Sequence, residues 1–328
     1  RAMKSLSVLI ATRDRACSLE RTLLSIAASP PSASWEVIVI DNGSRDDTAR
    51  LLDSMRSRLP LVVASEPRRG KNRALNRGLD LALGQLLTFT DDDVIASPGW
   101  LEALLVASRR WPRASIFGGP ILPRFPPGTP AWIRDPGFPL AAEAFGRKPE
   151  EPEGYTESLP YGANLALRAS VFERIRFDGK LGPGSRRSYA QGSEYELLLR
   201  LRAAGERIVH VPDARVEHRI TPEQTTVDWL LGRAERVGRG SARLKGKRVP
   251  RGVSSWLSLH LRRLRAEWVA SSSRRGPDAE RFAAAHRAHY WRGYLDESRR
   301  IRRERRSGPD AGGPGPAPIP FRSRAHPR

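Results

Sequence analysis

Three consecutive aspartates, Asp91-Asp92-Asp93, stand at the end of the apolar run Leu86-Leu87-Thr88-Phe89-Thr90. Side chains alternate along an extended strand, so Asp91 and Asp93 are expected to leave on one side, about 6.6 to 7 Å apart at Cα, with Asp92 facing the other way. Two carboxylates placed like this converge on one hard cation. Carboxylate oxygen suits Mg²⁺ or Mn²⁺, and such ions keep one or two protein carboxylates while a substrate diphosphate fills other positions. The competing reading of the triplet, taken alone, is a solvated acidic turn that caps the next helix. The elements around the triplet have to decide between the two.

Those elements alternate. Leu6 to Ala11 predicts a buried strand, followed by a helical pattern through Leu19, Leu23, Leu24 and Ala27. Trp35 to Ile40 predicts a second strand, closed by Asp41 and the turn Asn42-Gly43. Ser44 with Asp47 reads as a capping box for a helix carrying Leu51, Leu52 and Met55. Leu61 to Ala64 gives a third strand, a helix is expected over Lys71 to Leu83, and Leu86 to Thr90 is the fourth strand. Strand and helix alternating at these lengths imply βαβ units, hence an α/β fold with a mainly parallel sheet. Ligands of such sheets bind beyond the carboxyl ends of the strands, where Asp14, Asp41 and the triplet all fall.

Further along, a helix is expected around Trp100 to Ser108, and the proline-rich stretch from Pro120 to Pro160 breaks regular structure. Ser193-Glu194-Tyr195-Glu196 opens another helix, Arg207 to Val211 makes a short strand, and Thr221-Pro222-Glu223-Gln224 is a second capping-box signature. From Trp256 the residues Leu257, Leu261, Leu264 and Trp268 share one face of a helix with arginines elsewhere around it. That helix suits either packing against the preceding domain, the preferred reading, or an anionic membrane surface. Residues 309–328 are of low complexity and expected to be disordered.

Composition narrows the class. At 328 residues and 39% hydrophobic the chain can bury a substantial core. One cysteine, Cys17, excludes an internal disulfide framework or a cysteine zinc cluster and fits a reducing cytoplasm. No uncharged apolar stretch reaches the ~18 to 20 residues that span a bilayer, and the N-terminus shows no signal-sequence pattern. The net charge of +21 is uneven: residues 241–328 hold 22 Lys+Arg against 7 Asp+Glu. Such a tail meets anionic lipid, nucleic acid or an acidic partner, and nucleic acid ranks low because the aromatic motifs of RNA-binding folds are missing. The chain is therefore divided into a domain over residues 1–240, a basic amphipathic helical extension over 241–308, and the tail.

Seven short segments occur in one order. They are Ser7 to Asp14; Val37 to Ile40 running into Asp41-Asn42-Gly43-Ser44; Gly70-Lys71 leading to Ala74-Leu75-Asn76-Arg77-Gly78; Asp91-Asp92-Asp93; Gly162-Ala163-Asn164; Gly192 to Leu197; and Pro212 to His218. The ordered set resembles glycosyltransferase family 2 with the GT-A fold, across roughly residues 5 to 240. The resemblance implies that Thr12, Asp14 and Asp41 hold the base and ribose of a nucleotide sugar, a UDP-sugar being the expected donor. A carboxylate accepts from a uracil N–H or a ribose hydroxyl. It places Lys71 near the donor diphosphate, at a helix N-terminus that attracts anions, and Asn164 among the substrate contacts. Asp93 and Asp91, joined by His218, would hold Mg²⁺ or Mn²⁺, with Asp91 also facing the ribose. This is the Asp-x-Asp metal site of such enzymes.

The chain departs from the family pattern at the general base. Glu-Asp is usual after the glycine, and here Ser193-Glu194 stands in those places, which makes Glu194 the expected base. With Ser193 as N-cap, Glu196 would close a capping box, and Glu194 at the first helical position would be kept ionised by the helix dipole. The resemblance then implies single-displacement transfer with inversion to a hydroxyl of a glycan or lipid-linked glycan. The single cysteine and the basic amphipathic helix fit a cytoplasmic enzyme, peripheral at the inner face of the membrane. The altered base motif keeps a second reading open: a catalytically silent protein that binds nucleotide sugars.

Overall fold

A computed structural model describes residues 2–135, 144–148, 150–184, 188–245, 253–272 and 278–306. The first part alternates as the apolar runs require: β1 (Lys4–Thr12), α1 (Ala16–Ala27), β2 (Trp35–Asp41), α2 (Thr48–Met55), β3 (Leu61–Ser65), α3 (Lys71–Leu79) and β4 (Gly84–Thr90). Leu6, Val8, Leu9 and Ile10 of β1 and Val37 to Ile40 of β2 are completely buried. Both faces of these strands are covered, which is why they read as unbroken apolar runs. After β4 come β5 (Val94–Ala96), α4 (Trp100–Arg110), β6 (Ala114–Gly118), β7 (Ile121–Arg124), α5 (Ala131–Arg134), β8 (Gly154–Tyr155), β9 (Leu165–Arg168), α6 (Ser193–Ala203), β10 (Arg207–His210) and β11 (Val216–Arg219).

Eight strands form the main sheet in the order β3-β2-β1-β4-β9-β6-β10-β8, and β5, β11 and β7 form a small second sheet. β1 runs parallel to both β2 and β4, β2 to β3, and β6 to β10, while β9 is antiparallel to both of its neighbours. The chain winds outward from β1 to β3 and then crosses back to place β4 on the other side of β1. Right-handed crossovers therefore put α1 and α2 on one face and α3 on the other. The packing agrees: Leu19, Leu23, Leu52 and Met55 join the core that also holds Leu101 and Leu104 of α4, and Leu75 and Leu79 join Leu197, Leu198 and Leu201 of α6 on the opposite face. The reversal leaves a crevice at the carboxyl ends of β1 and β4, where ligands of such sheets bind.

Three long helices follow: α7 (Val227–Lys245), α8 (Val253–Ser272) and α9 (Asp278–Arg306). α7 runs unbroken across position 240, where the sequence reading divides the chain. A Cβ on Gly238 would collide with the Tyr290 carbonyl, and one on Gly293 with the Glu235 carbonyl, so the two glycines let α7 and α9 touch backbone to backbone. Arg243 pairs with Glu297 at 2.6 Å across that contact. α7 in turn grips the loop ahead of α6, its Arg236 carbonyl accepting the Gln191 N–H at 3.0 Å.

Several expectations change. α3 stops at Leu79 rather than Leu83. Ser44 caps no helix; its hydroxyl accepts the Asp14 N–H at 3.0 Å, and the residue before α2 is Asp47. Gly192, with φ of 118°, precedes α6, so Ser193 is already helical; Glu196 closes no capping box and binds Arg200 at 2.6 and 2.7 Å. A left-handed φ is open to glycine and costly for serine, which decides the boundary. The Thr221–Gln224 box is present, with Thr221 N–H on Gln224 Oε1 at 2.7 Å and Gln224 N–H on Thr221 Oγ1 at 3.4 Å. The preferred packing role for the Trp256 to Trp268 stripe is overturned: Leu257, Leu261, Leu264 and Trp268 are all exposed. The helix packs through its other side, with Leu259 against Tyr294 and Leu295. The tail over 309–328 lies outside the described residues.

Candidate active site

The aspartate triplet sits in the turn between β4 and β5, directly at the β1/β4 crevice. Because β4 ends at Thr90, strand alternation does not extend through the triplet, and its three carboxylates part company. Asp91 turns to Lys71, whose Nζ lies 2.5 Å from Oδ1. Asp92, 5% exposed, accepts the Thr12 hydroxyl at 2.8 Å and the Arg15 guanidinium at 2.7 Å. Asp93 meets the same guanidinium at 3.0 Å and faces His218 Nε2 at 3.6 Å, an ionic contact longer than a hydrogen bond. Asp91 and Asp93 therefore do not converge on one ion as expected. Asp92, expected only to face away from the other two, is a buried strut between β1 and the triplet.

Glu194 reaches the triplet from the other side. It stands in the first turn of α6, and its Oε1 lies 2.8 Å from the same Lys71 Nζ that holds Asp91. Gly162 makes the room, since a Cβ there would lie 2.5 Å from the Glu194 carboxyl. α3 and α6 are locked together at this end by the loop between Phe177 and Pro183. Asn72 donates to the Asp178 carbonyl at 2.7 Å, Asn76 exchanges bonds with the Phe177 backbone at 2.9 and 3.1 Å, and the Lys71 N–H donates to the Pro183 carbonyl at 2.8 Å.

Charge follows from this geometry. Burial pushes the Lys71 ammonium down, but Asp91 and Glu194 override it and raise its pKa. Burial pushes Glu194 up, but Lys71 overrides it and holds the carboxyl below its usual range, so it is an ionised acceptor for a proton. Burial raises Asp92 to about 6 against the pull of Arg15. Asp93 is lowered, since His218 and Arg15 outweigh its burial, and His218 is raised by Asp93 against its own burial.

A metal would have two protein ligands here. The Asp93 Oδ1 atom is buried with no hydrogen-bond partner. His218 Nδ1 is 2.7 Å from the Phe145 carbonyl; donating to it leaves Nε2 as a lone-pair atom aimed at Asp93, the usual second-shell arrangement of a metal-bound histidine. Four carboxylates, Asp91 to Asp93 and Glu194, face two cations, Arg15 and Lys71, an excess of negative charge that raises His218 and that an ion bound at Nε2, in place of the ring proton, would also offset. Asp91 does not join the pair: among the described residues no three His, Cys, Asp or Glu side chains are placed to hold an ion. The donor set fits an ion completed by substrate oxygens.

The expected nucleotide contacts surround the crevice. Asp14, with φ of 51°, accepts the Arg45 N–H at 2.7 Å, and Asp41 accepts the Ser44 N–H at 2.8 Å. Asp46, unremarked in the sequence, caps α1 by accepting the Ala16 N–H at 2.8 Å. Asn42, read as a turn residue, spans from β2 to the loop before α3, donating to the Glu66 and Arg68 carbonyls at 2.6 and 3.0 Å and accepting the Gly70 N–H at 2.7 Å. Its signal was its place in the turn beside Asp41. Asn164 is a correction: it is completely buried, its amide donates to the Pro120 and Ala214 carbonyls at 3.1 and 2.6 Å, and its oxygen accepts the Trp100 indole at 2.9 Å. Nothing remains for a substrate. Arg15, absent from the expected set, is a central cation of the site. A cleft of about 660 Å³ opens beside Asp93, with Arg15, Arg21, Arg124 and Arg219 in its walls.

Comparison with known proteins agrees with this arrangement. The Glycosyl transferase family 2 profile matches residues 7–176, a little over half of the chain. The succinoglycan biosynthesis protein ExoM of Rhizobium meliloti is 29% identical over 245 residues, 73% of this chain and 74% of that protein. The glucosyl-dolichyl phosphate glucuronosyltransferase of Haloferax volcanii is 26% identical over 236 residues, 70% and 73% of the two chains. Among solved structures, a Pyrobaculum calidifontis mannosyltransferase in complex with GDP-Man and Mn²⁺ superposes with a TM-score of 0.52 at 18% identity, covering 94% of this chain and 76% of that one. TarS of S. aureus in complex with UDP-GlcNAc gives 0.52 at 16%, covering 93% and 92%. At these identities the structural likeness carries the fold, which is of the GT-A type. With the profile, the relatives and the fold in agreement, the chain belongs to glycosyltransferase family 2.

Proposed function

We propose that the protein transfers a sugar from a nucleotide-sugar donor, a UDP-sugar first among them, to a hydroxyl of a glycan carried on lipid, with inversion. The observation that carries the reading is the meeting of Glu194 with Asp91 through Lys71, which puts an ionised base from α6 against the end of β4. The donor's base and ribose lie over Asp14 and Asp41 at the ends of β1 and β2, and its phosphates face the basic cleft beside Asp93; Thr12, expected among these contacts, is instead buried with its hydroxyl on Asp92 and supports the site from beneath. Asp93 and His218 would hold a divalent cation, Mn²⁺ or Mg²⁺, which when bound would supply positive charge to the donor diphosphate. Glu194 takes the proton of the acceptor hydroxyl as that oxygen attacks the anomeric carbon. Lys71 keeps Glu194 ionised and Asp91 in place, and it offsets two carboxylates that would otherwise repel an anionic donor.

Support for the donor class comes from the solved neighbours with GDP-Man and UDP-GlcNAc, and for polysaccharide and lipid-linked acceptors from the names of the two relatives. We infer a cytoplasmic enzyme working at the inner face of the membrane; among the described residues no helix is long and apolar enough to cross it.

A panel of nucleotide sugars, monitored for nucleoside diphosphate release with Mn²⁺, with Mg²⁺ and with chelator, tests the reading. One donor is expected to react, with loss on chelation and with inverted anomeric configuration by NMR. Glu194→Gln should abolish transfer while leaving donor affinity nearly unchanged. Turnover by that variant at the wild-type rate would remove Glu194 from the mechanism.

A further inference from the structure

Leu257, Leu261, Leu264 and Trp268 of α8 are 60, 57, 58 and 68% exposed. At 100° per residue they fall within an arc of about 60°, diametrically opposite Leu259 and Ala266, the buried residues through which α8 packs. The stripe therefore points straight away from the protein. The other exposed large apolar side chains, such as Met3, Leu24 and Val106, are scattered over the first part of the chain, whereas these four form a continuous row.

The row has a basic border. Arg265 is exposed and lies about 70° from the centre of the stripe. His260 meets Arg299 at 2.9 Å and Glu267 meets Arg292 at 3.9 Å, so α9 runs antiparallel to α8 and lies behind it, leaving the stripe uncovered by α9. Leucine and tryptophan on an outward face with arginine at its edge is the composition of a helix lying in the plane of a charged lipid surface.

We propose that α8 seats this stripe in the interface of an anionic bilayer, with Leu257, Leu261, Leu264 and Trp268 among the acyl chains and Arg265 on lipid phosphate. A second copy of the chain fits less well, because pairing two stripes would bring the arginine borders together. Nucleic acid would leave the leucines without a partner. The inference extends the reading of a lipid-carried acceptor, and vesicles that contain no acceptor test it apart from turnover.

The experiment uses the full chain with vesicles of phosphatidylcholine, with and without phosphatidylglycerol. Binding to the anionic vesicles is expected, weakening with salt. Leu261→Ser with Leu264→Ser should lower the affinity about a hundredfold, at roughly tenfold per leucine withdrawn from lipid. Arg265→Glu should lower it about twenty-fivefold, at about fivefold for each of two charges. Both variants should melt like the wild type, because the replaced side chains are solvent-facing, and should turn over a water-soluble acceptor normally. Failure of the wild type to bind anionic vesicles at low salt, or equal binding by the leucine variant, overturns the proposal. So does finding that the leucine variant instead loses a concentration-dependent dimer in sedimentation equilibrium, or loses binding to an RNA homopolymer while keeping vesicle binding.

Discussion

Replacing Lys71 by methionine isolates the electrostatics of the site. Nζ is 2.5 Å from Asp91 and 2.8 Å from Glu194, and at an effective dielectric of about 20 a unit pair at the longer distance attracts by roughly 6 kcal/mol. Desolvation consumes much of that. Removing one partner of a buried pair usually costs about 3–5 kcal/mol, and because the Asp91 side chain is 32% exposed the lower end, about 3 kcal/mol, applies. At about 2 °C per kcal/mol for a chain of this size, the melting temperature at neutral pH should fall by about 6 °C. The deficit should depend on pH. In the wild type Glu194 is held below its usual range, so its stabilising share is present above the ordinary carboxylate pKa and is lost as pH falls through the depressed value. In the variant burial, the largest influence on Glu194, is opposed only by a backbone hydrogen bond, so the folded-state pKa should rise above the unfolded value and the folded form gain stability as pH falls through that range. The gap between the two proteins should therefore narrow from pH 7 toward pH 4 in denaturant titrations. The acid limb of the variant's pH–rate profile should move upward. A deficit that stays constant across this window would refute the pairing, as would a coupling between Lys71→Met and Glu194→Gln near zero in a double-mutant cycle.

Three further outcomes follow from the geometry. Gly162→Ala puts a methyl group 2.5 Å from the Glu194 carboxyl, so kcat should drop at least tenfold while donor affinity by calorimetry holds. Asp92→Ala strands the buried Thr12 hydroxyl and one arm of Arg15, and chemical denaturation should show a loss of about 2 kcal/mol. His218→Ala should weaken Mn²⁺ binding in the presence of nucleoside diphosphate, measured by electron paramagnetic resonance, at least tenfold, with little change in melting temperature without metal.

The four leading strands were legible, though not their order in the sheet, because β1 and β2 are covered on both faces and so spell continuous apolar runs that lead to Asp14 and Asp41. The meeting of Glu194 with the triplet was legible only through family resemblance, since nothing local in either segment records a contact across a hundred residues. The partition of the three aspartates was not legible, because alternation holds only while the chain is extended and β4 ends at Thr90. Asn164 misled for a related reason: its motif lies next to the site, but its amide is turned inward to tie Trp100 to the backbone of β6 and β11's approaches. Ser193 fits a cap by type, and Gly192 takes the place by conformation. The α8 stripe has the spacing of a core helix, and only the tertiary arrangement shows that a different pair, Leu259 and Ala266, makes the contact.

The position of β9 bears on how the chain is made. β4 lies between β1 and β9 in the sheet, and its apolar residues Leu86, Leu87 and Phe89 pair with Arg168, Leu167 and Leu165. During synthesis the first four strands leave the ribosome together, and the outer edge of β4 then waits for about eighty more residues. At roughly 5–20 residues per second that wait is on the order of 4 to 16 s, with an apolar strand edge open to any neighbouring chain. The strand that leads into the aspartate triplet is thus also the place where a nascent or truncated polypeptide is most exposed to aggregation, and fragments ending before Arg168 should need chaperones to stay in solution.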